Sequence, residues 1–129
     1  MTPLKTIIVL FVLAVFVFGA AAYCQAREAI GRKKKASFYG EGYRGKPMAN
    51  GHPYDPDQYT CACWGWPLGT RLLIEHGEHV VVVTVTDRGP DKRLGRDIDL
   101  SEAAFTALAD LKLGIITVNI SLWREVAAT

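Results

Sequence analysis

A run of β-branched residues that ends in a charged turn is the feature that most limits how this chain can fold. Residues Val80 to Val85 are all valine or threonine, and Thr86 leads into Asp87-Arg88-Gly89-Pro90. The run predicts a buried strand, which the glycine and proline must end. Asp87 and Arg88 would then lie at the end of a rigid element, where a carboxylate can be partly desolvated and reactive. Alternatively, Arg88 pairs with Asp87 or Asp91, and the turn only closes a hairpin.

The first 22 of the 129 residues predict a secretory signal peptide. Lys5 precedes an apolar run from Ile7 to Phe18, and Ala20-Ala21-Ala22 fits a cleavage site. We therefore expect export to the periplasm or cell envelope. Two alternatives stay open, namely lipid attachment at Cys24 and retention of the run as a membrane anchor, which the positive charges of residues 27–35 would favour.

Positive charge is concentrated in residues 23–35, which predict a basic linker. Residues 27–35 carry five basic side chains and one acidic one, whereas residues 36–123 carry eight basic and eleven acidic ones. The compact part of the chain is therefore mildly acidic, which argues against a nucleic-acid partner. The segment from Arg27 to Lys35 either contacts an anionic membrane or wall polymer or is a solvated linker.

Residues 36–123 predict one small, mainly β domain, with a tail at 124–129. Alternation of apolar and polar residues and turn signals predict short strands, at 36–39, 71–75, 79–86, 97–100 and 116–123. So many short strands need their edges removed, which favours a small closed β-structure.

Between these strands the sequence predicts one helix and one long loop. Ser101 is a typical N-cap for a helix over about 101–111, and Gly114 would stop it. Residues 40–60 are dense in Gly, Pro, Asn and Asp and predict a long irregular loop. Residues 61–66 form a compact apolar segment compatible with a turn of helix.

The cysteines allow several pairings. A bridge between Cys61 and Cys63 would be strained, and Cys24 could pair with either if it survives processing. Two cysteines one residue apart do not make a structural zinc site. We expect no metal and no cofactor.

Four segments of the chain, in order, resemble the rare lipoprotein A family of septal lytic transglycosylases. They are Ala36–Gly40 with Met48–Gly51, Pro67–Thr70, Thr86–Pro90 and Arg96–Ala104. The resemblance extends from Ala36 to about Trp123. It implies a six-stranded double-psi β-barrel related to expansins and barwin-like proteins. It also implies an exported protein, expected to be a monomer, that binds peptidoglycan glycan strands.

The resemblance further implies a chemistry and a site. Enzymes of this family cleave peptidoglycan between N-acetylmuramic acid and N-acetylglucosamine and leave a 1,6-anhydro end. Asp87 matches the family's catalytic aspartate, and Arg88 would hold it in place. Glycosidic cleavage needs an acid at the leaving oxygen, which a carboxyl group supplies.

Aromatic side chains are abundant near the proposed cleft and would bind sugars by stacking on their apolar faces. We expect Tyr39, Tyr54 and Trp64 to contact substrate together with Arg88. At least two of five aromatic residues in this region should be buried for structural reasons. The five are Tyr39, Tyr43, Tyr54, Trp64 and Trp66.

Two positions depart from the family pattern. His52 stands where the family carries a glutamate, and Cys63 stands where it carries a histidine. One hypothesis is an active transglycosylase in which Asp87 is the acid and base and His52 assists. A second is an expansin-like module that binds wall glycans without cutting them. A third joins Cys63, His52 and Asp87 as nucleophile, base and orienting residue, or as a metal site.

The catalytic assignment of Asp87, His52 and Cys63 makes one structural demand. The Asp87 carboxylate must lie at the rim of the barrel, beside an open groove, and within reach of the other two side chains.

Overall fold

The structure, a computed structural model, describes residues 33–125. The predicted signal peptide, Cys24, residues 23–32 of the predicted linker and residues 126–129 of the tail lie outside the described residues. No helix within 33–125 combines the length and apolar character that crossing a membrane requires.

Six strands close into a barrel, as predicted. They are β1 (Lys33–Tyr39), β2 (Thr60–Cys63), β3 (Arg71–His76), β4 (His79–Asp87), β5 (Ile98–Ser101) and β6 (Ile116–Leu122). Around the barrel they follow the order β1-β5-β2-β4-β3-β6. The pairs β1–β5 and β2–β4 are parallel, and the remaining neighbours are antiparallel. Strands paired in parallel cannot be joined by a tight turn. Other strands accordingly separate each parallel pair along the chain: β3 lies between β2 and β4, and β2, β3 and β4 lie between β1 and β5.

Two strands differ from the sequence prediction. β1 begins at Lys33 and not at Ala36, because residues 33–35 pair with β6 although lysine is a weak strand former. The last residues of the predicted basic linker thus belong to the barrel. Residues Thr60–Cys63 form β2 and not a turn of helix, because they pair with β4 on one side and β5 on the other.

The helix α1 (Glu102–Leu108) is shorter than predicted. Ser101 is its N-cap, with the side-chain oxygen accepting a bond from the Ala104 amide. The helix ends at Leu108 because the chain becomes extended at Ala109, after which a separate 3-10 helix spans Leu111–Leu113. Gly114 therefore follows that 3-10 helix and does not stop α1.

The core lies inside the barrel and beneath α1. Alternate strand positions such as Ile98 and Leu100 are fully buried, and Phe105 of α1 packs with them. Burial of such side chains contributes about 1.5–3 kcal/mol each. The residue between the two β5 positions, Asp99, therefore faces away from the core, and this side of the wall carries the candidate site.

Candidate functional site

A short row of residues crosses four neighbouring strands on the face of the barrel wall turned away from the core. Ser37 of β1 pairs with Asp99 of β5, and Asp99 pairs with Ala62 of β2. Ala62 in turn pairs with Asp87 at the end of β4. Paired residues on adjacent strands share a face of the sheet. Two carboxylates therefore flank one alanine, whose small side chain leaves room between them.

Backbone amides hold the Asp87 carboxylate. Its Oδ1 accepts hydrogen bonds from the Ala49 amide at 2.9 Å and from the Arg88 amide at 2.8 Å. The loop that supplies Ala49 is fixed to the same strand, since the Asn50 amide donates to the Thr86 carbonyl at 3.1 Å. Asp87 is half-buried, and its Oδ2 has no hydrogen-bond partner within residues 33–125. One oxygen is thus fixed while the other stays available.

The carboxylate opens into a cavity of about 360 Å³, here called the Asp87 cavity. This volume lies within the range of about 300–1,000 Å³ that is usual for small-ligand sites. The lining comes from the long loop, the barrel wall and the turn after β4: Tyr39, Tyr43, Lys46, Pro47, Met48, Tyr54, Ala62, Asp87, Arg88, Gly89, Pro90, Asp91 and Asp99. Four of the seven predicted site residues line this cavity, namely Asp87, Tyr39, Tyr54 and Arg88.

Tyr54 and Tyr39 serve the fold as well as the cavity. Tyr54 is only 3% exposed, its hydroxyl donates to the Tyr39 carbonyl at 2.7 Å, and the same hydroxyl accepts from the Glu102 amide at 3.3 Å. The two rings lie 4.3 Å apart between centroids. The Tyr54 ring is therefore committed to packing and is poorly placed to stack on a sugar.

The Tyr39 hydroxyl is buried without a hydrogen-bond partner in the described part of the chain. Burial raises the pKa of this hydroxyl well above its ordinary value, and the nearby Thr60 hydroxyl offsets part of the rise. The two hydroxyls do not meet hydrogen-bond geometry, since the Thr60 oxygen is also without a partner. Burial likewise raises the pKa of Tyr54.

Arg88 ties the end of β4 to the end of β2. Its Nη1 donates to the Cys63 carbonyl at 3.0 Å and to the Trp66 carbonyl at 2.7 Å. It forms no ion pair with Asp87 or Asp91 in the described chain, so the alternative of a simple charge pair at this turn is wrong. These two bonds hold the Arg88 side chain against the segment after β2, and its predicted contact with substrate stays a prediction.

His52 and Cys63 do not line the Asp87 cavity. His52 is exposed in a tight turn, where its amide donates to Asn50 Oδ1 at 2.9 Å. Cys63 is buried on the core side of β2, because residues two apart on a strand share a face and Cys61 already faces the core. We predicted that these two side chains lie around the Asp87 carboxylate, but neither lines its cavity. Their catalytic roles stay predictions.

The two described cysteines are unbridged thiols that influence each other. A hydrogen bond from Cys61 lowers the pKa of Cys63. Burial opposes this shift, and the positive charge of Arg88 adds to it. The same hydrogen bond, together with burial, raises the pKa of Cys61. Within residues 33–125, no group of three or more His, Cys, Asp or Glu side chains is arranged to hold a metal ion.

Trp64 lies at a second cavity of about 680 Å³, here called the tryptophan cavity. Trp64 is 47% exposed, and its Nε1 donates to the Pro90 carbonyl at 2.8 Å. Trp66 packs against the core from the same segment. The lining shares no residue with the Asp87 cavity: Lys34, Cys63, Trp64, Gly65, Trp66, Leu72, Lys92, Gly95, Arg96, Asp97, Ile98 and Ile120. Of the five aromatic residues expected near the cleft, Tyr54 alone is buried, and Trp66 is partly buried against the core. The expectation of at least two buried rings is therefore wrong by one residue.

Sequence reasoning gave no site role to Asp99 or to Lys46, which both line the Asp87 cavity. Asp99 accepts a hydrogen bond from the Ser37 hydroxyl and lies 3.6 Å from Arg96 Nη1. The signal for Asp99 was present, since it alternates with the buried Ile98 and Leu100 and so must face the other side. Lys46 gave no local signal, because its position depends on how the long loop folds back over Tyr43.

Comparisons with known proteins agree with the barrel and its motifs. A family model described as "Lytic transglycolase", of the double-psi β-barrel type, matches residues 32–120. The "Probable endolytic peptidoglycan transglycosylase RlpA" of Nostoc sp. is 40% identical over 91 residues, which cover 67% of this chain and 24% of the relative. The protein of the same name from Treponema pallidum is 37% identical over 97 residues, covering 74% of this chain and 30% of the relative. The chain thus matches less than a third of either relative's length.

A solved structure has the same fold. A point mutant of the Clavibacter michiganensis expansin, in complex with cellohexaose, aligns with a TM-score of 0.57 and 25% identity. The alignment covers 76% of this chain and 54% of the expansin. The predicted double-psi β-barrel and its relation to expansins are confirmed.

Proposed function

This chain belongs to the lytic transglycolase family of double-psi β-barrels, and from that premise we propose that it cleaves peptidoglycan glycan strands. The bond broken joins N-acetylmuramic acid to N-acetylglucosamine, and the product carries a 1,6-anhydro end. Asp87 is the general acid and base. The relatives' names support the substrate, and the complex of the related expansin with cellohexaose supports a glycan as the ligand.

The observation that carries the proposal is the state of the Asp87 carboxylate. Two backbone amides fix Oδ1, and Oδ2 is left without a partner in the described residues at an open cavity. A group that transfers protons must be held in place and must reach the substrate. Asp91, by contrast, is engaged by Arg93, and Asp99 by Ser37 and Arg96.

One proton-handling carboxyl is sufficient for this reaction. The C1–O4 bond between the two sugars breaks as the carboxyl of Asp87 donates its proton to O4. The 6-hydroxyl of the muramic acid attacks C1, forms the C1–O6 bond, and returns a proton to Asp87. No water is consumed, so the second carboxylate that a hydrolase needs to activate water has no task here.

Other residues of the Asp87 cavity position the carboxylate or the glycan. Arg88 fixes the turn through the Cys63 and Trp66 carbonyls. Tyr43 is 53% exposed at the cavity, with the Lys46 ammonium 4.8 Å from its ring centroid. An exposed, held aromatic ring is suited to stack on a sugar. No step of the mechanism uses His52 or Cys63.

The second candidate function is glycan binding without cleavage. It is favoured because His52 and Cys63 replace the glutamate and histidine of the family pattern, and because neither residue lines the Asp87 cavity. In that case the barrel would hold wall glycans as a module, and Asp87 would bind a sugar hydroxyl without transferring its proton.

The proposed substrate also sets the location. Peptidoglycan lies outside the cytoplasmic membrane, so the protein must be exported, and the predicted signal peptide supplies the route. We propose the periplasm or cell envelope as its place of action.

The test is product analysis on purified peptidoglycan. The wild-type protein should release fragments with 1,6-anhydro ends, detected by mass spectrometry, and Asp87→Asn should lower release at least about 100-fold. Asp57→Asn, an equally conservative change at an exposed loop residue outside the cavity, should retain wild-type release. His52→Ala and Cys63→Ser should also retain activity.

The alternatives give different results in the same assay. Wild-type protein that sediments with peptidoglycan but releases nothing would establish the binding module. Loss of release in Cys63→Ser, with the fold intact by circular dichroism, would favour the thiol hypothesis. Protein that neither binds nor cleaves would contradict the proposed function.

A further inference from the structure

The residues that line the tryptophan cavity are of the types that bind a sugar ring carrying a negative charge. With a volume of about 680 Å³ it is larger than the Asp87 cavity, and the two share no lining residue. Its floor is apolar, formed by Leu72, Ile98 and Ile120. Cavities with an apolar body and a few polar groups at the edge are the usual form of small-ligand sites.

The aromatic part of the lining is fixed before any ligand binds. Trp64 is nearly half exposed, yet its indole N–H is held by the Pro90 carbonyl at 2.8 Å. Trp66 is anchored by its packing against the core. Exposed indoles that are held in place bind flat apolar faces with little loss of conformational freedom. The faces of pyranose rings are surfaces of this kind.

The charged part of the lining is positive and partly unengaged. Within this lining, Lys34, Lys92 and Arg96 face one acid, Asp97. A second acid, Asp91, lines a neighbouring cavity together with Trp64 and Lys92, and Arg93 engages it. Arg96 is occupied by Ser37 and Asp99, and Asp97 accepts a hydrogen bond from the Lys35 amide. Lys34 and Lys92 form no ion pair in the described chain. The Lys92 ammonium lies over one face of the Trp64 ring, 5.9 Å from the ring centroid.

We propose that the tryptophan cavity is a second glycan site that binds an acidic sugar, with the ring on Trp64 and the carboxylate at Lys34 and Lys92. The choice of a sugar over other anions rests on the proposed function. The protein would then hold a glycan at one cavity and cut at the other, with Arg88 between them. Binding at the tryptophan cavity depends on charge and weakens with salt, because the two lysines lie near the surface.

The experiment titrates the purified protein with trigalacturonate, an acidic trisaccharide, and with cellotriose, a neutral one. Trigalacturonate should shift the indole N–H signals of Trp64 and Trp66 in NMR spectra and leave that of Trp123 in place. Cellotriose should bind at least 10-fold more weakly. The double variant Lys34→Gln/Lys92→Gln should weaken trigalacturonate binding at least 10-fold.

The matched control is Lys33→Gln/Lys112→Gln, which removes the same charge at exposed positions outside both cavities. It should bind trigalacturonate like the wild-type protein. The single variant Lys34→Gln, which leaves the Lys92–Trp64 contact intact, replaces the double variant if the latter does not fold. Equal binding of both trisaccharides, or equal weakening by the control, would overturn the proposal.

A third variant separates this proposal from the proposed function. Asp87→Asn should abolish product release and keep trigalacturonate binding. If the wild-type protein releases no product but binds trigalacturonate at the indoles as described, the site stands and the cleavage proposal fails. If it releases product and the indole signals do not move, cleavage stands and the second site fails.

Discussion

The two cavities differ in what fixes their charged groups. In the Asp87 cavity, backbone amides of Ala49 and Arg88 hold the carboxylate. In the tryptophan cavity, the unpaired charges of Lys34 and Lys92 sit at the ends of long side chains. Proton transfer tolerates little error in position, whereas attraction between a carboxylate and an ammonium tolerates much. The difference fits the two proposals, which place bond cleavage at the Asp87 cavity and ligand binding at the tryptophan cavity.

The same short strand serves both cavities. Ala62 lines the Asp87 cavity, and the next residue, Cys63, lines the tryptophan cavity. Successive residues of a strand point to opposite faces, so a single step along β2 changes the cavity. This alternation also explains why Cys63 does not join Asp87 in one site, although the two residues are close to each other in the barrel.

The largest expected effect comes from the wall of the Asp87 cavity. Tyr54→Ala removes a buried ring and two hydrogen bonds, and should lower the free energy of unfolding by about 3–5 kcal/mol. Tyr43→Ala, at an exposed ring of the same cavity, should cost less than about 1 kcal/mol. Urea unfolding followed by circular dichroism measures both. Equal costs would show that Tyr54 is a surface residue of the cleft and not part of the fold.

The next effect concerns the connection between the cavities. Arg88→Gln removes the donor to the Cys63 and Trp66 carbonyls and should destabilise the protein by about 1.5–3 kcal/mol, as expected for bonds to a charged donor. It should also lower product release, because the Asp87 turn loses its anchor. Arg93→Gln, at a solvent-exposed arginine of the following loop, is the matched control and should change neither quantity. A stable Arg88→Gln protein with full activity would contradict the positioning role.

Much of the fold was predictable because strong local signals agreed with the barrel. The β-branched run at β4 and the alternation of β6 predicted those strands, and Ser101 predicted the start of α1. The errors lay where pairing overrode local preference. Lysines 33–35 and the short segment at Cys61 become strands only because neighbouring strands supply their hydrogen bonds.

The candidate site was predictable only in part. Asp87 and Arg88 follow a recognisable strand and turn, so their place at a cavity could be expected. His52 and Cys63 were grouped with Asp87 by matching positions in a family pattern, and such matching carries no information on which face of β2 a side chain occupies. The tryptophan cavity is lined by residues of β1, β2, β3, β5 and β6 and of two loops. A local sequence pattern cannot predict it, because these segments come together only in the folded barrel.

A smaller effect is expected at Trp64. Trp64→Ala should reduce trigalacturonate affinity about 10-fold, since stacking on an aromatic ring contributes about 0.5–1.5 kcal/mol beyond the area buried. Stability should change little, because the ring is 47% exposed. Trp123→Ala, at a tryptophan outside both cavities, controls for loss of an indole. Product release should persist in both variants, and its loss in Trp64→Ala alone would show that the two cavities act as one site.

Replacement of Tyr39 should change the free energy of unfolding least of all at neutral pH, and clearly at high pH. Its hydroxyl is buried without a partner in the described residues, so Tyr39→Phe at pH 7 should leave stability unchanged or raise it by up to about 1 kcal/mol. Burial raises the folded-state pKa of this hydroxyl above its unfolded value of about 10. The unfolded chain therefore loses the proton first, and stability present below about pH 10 is lost as the pH rises further.

Tyr39→Phe should therefore reduce the loss of unfolding free energy between about pH 9.5 and 11, measured by urea unfolding at each pH. Tyr54 and Cys61, whose pKa values are also raised, should keep part of the alkaline loss in this variant. Tyr59→Phe, at an exposed tyrosine, should leave the profile unchanged. A Tyr39→Phe protein that is less stable than wild type at pH 7 would show that the hydroxyl has a bonded partner, and the wall of the Asp87 cavity would then be more polar than the one described.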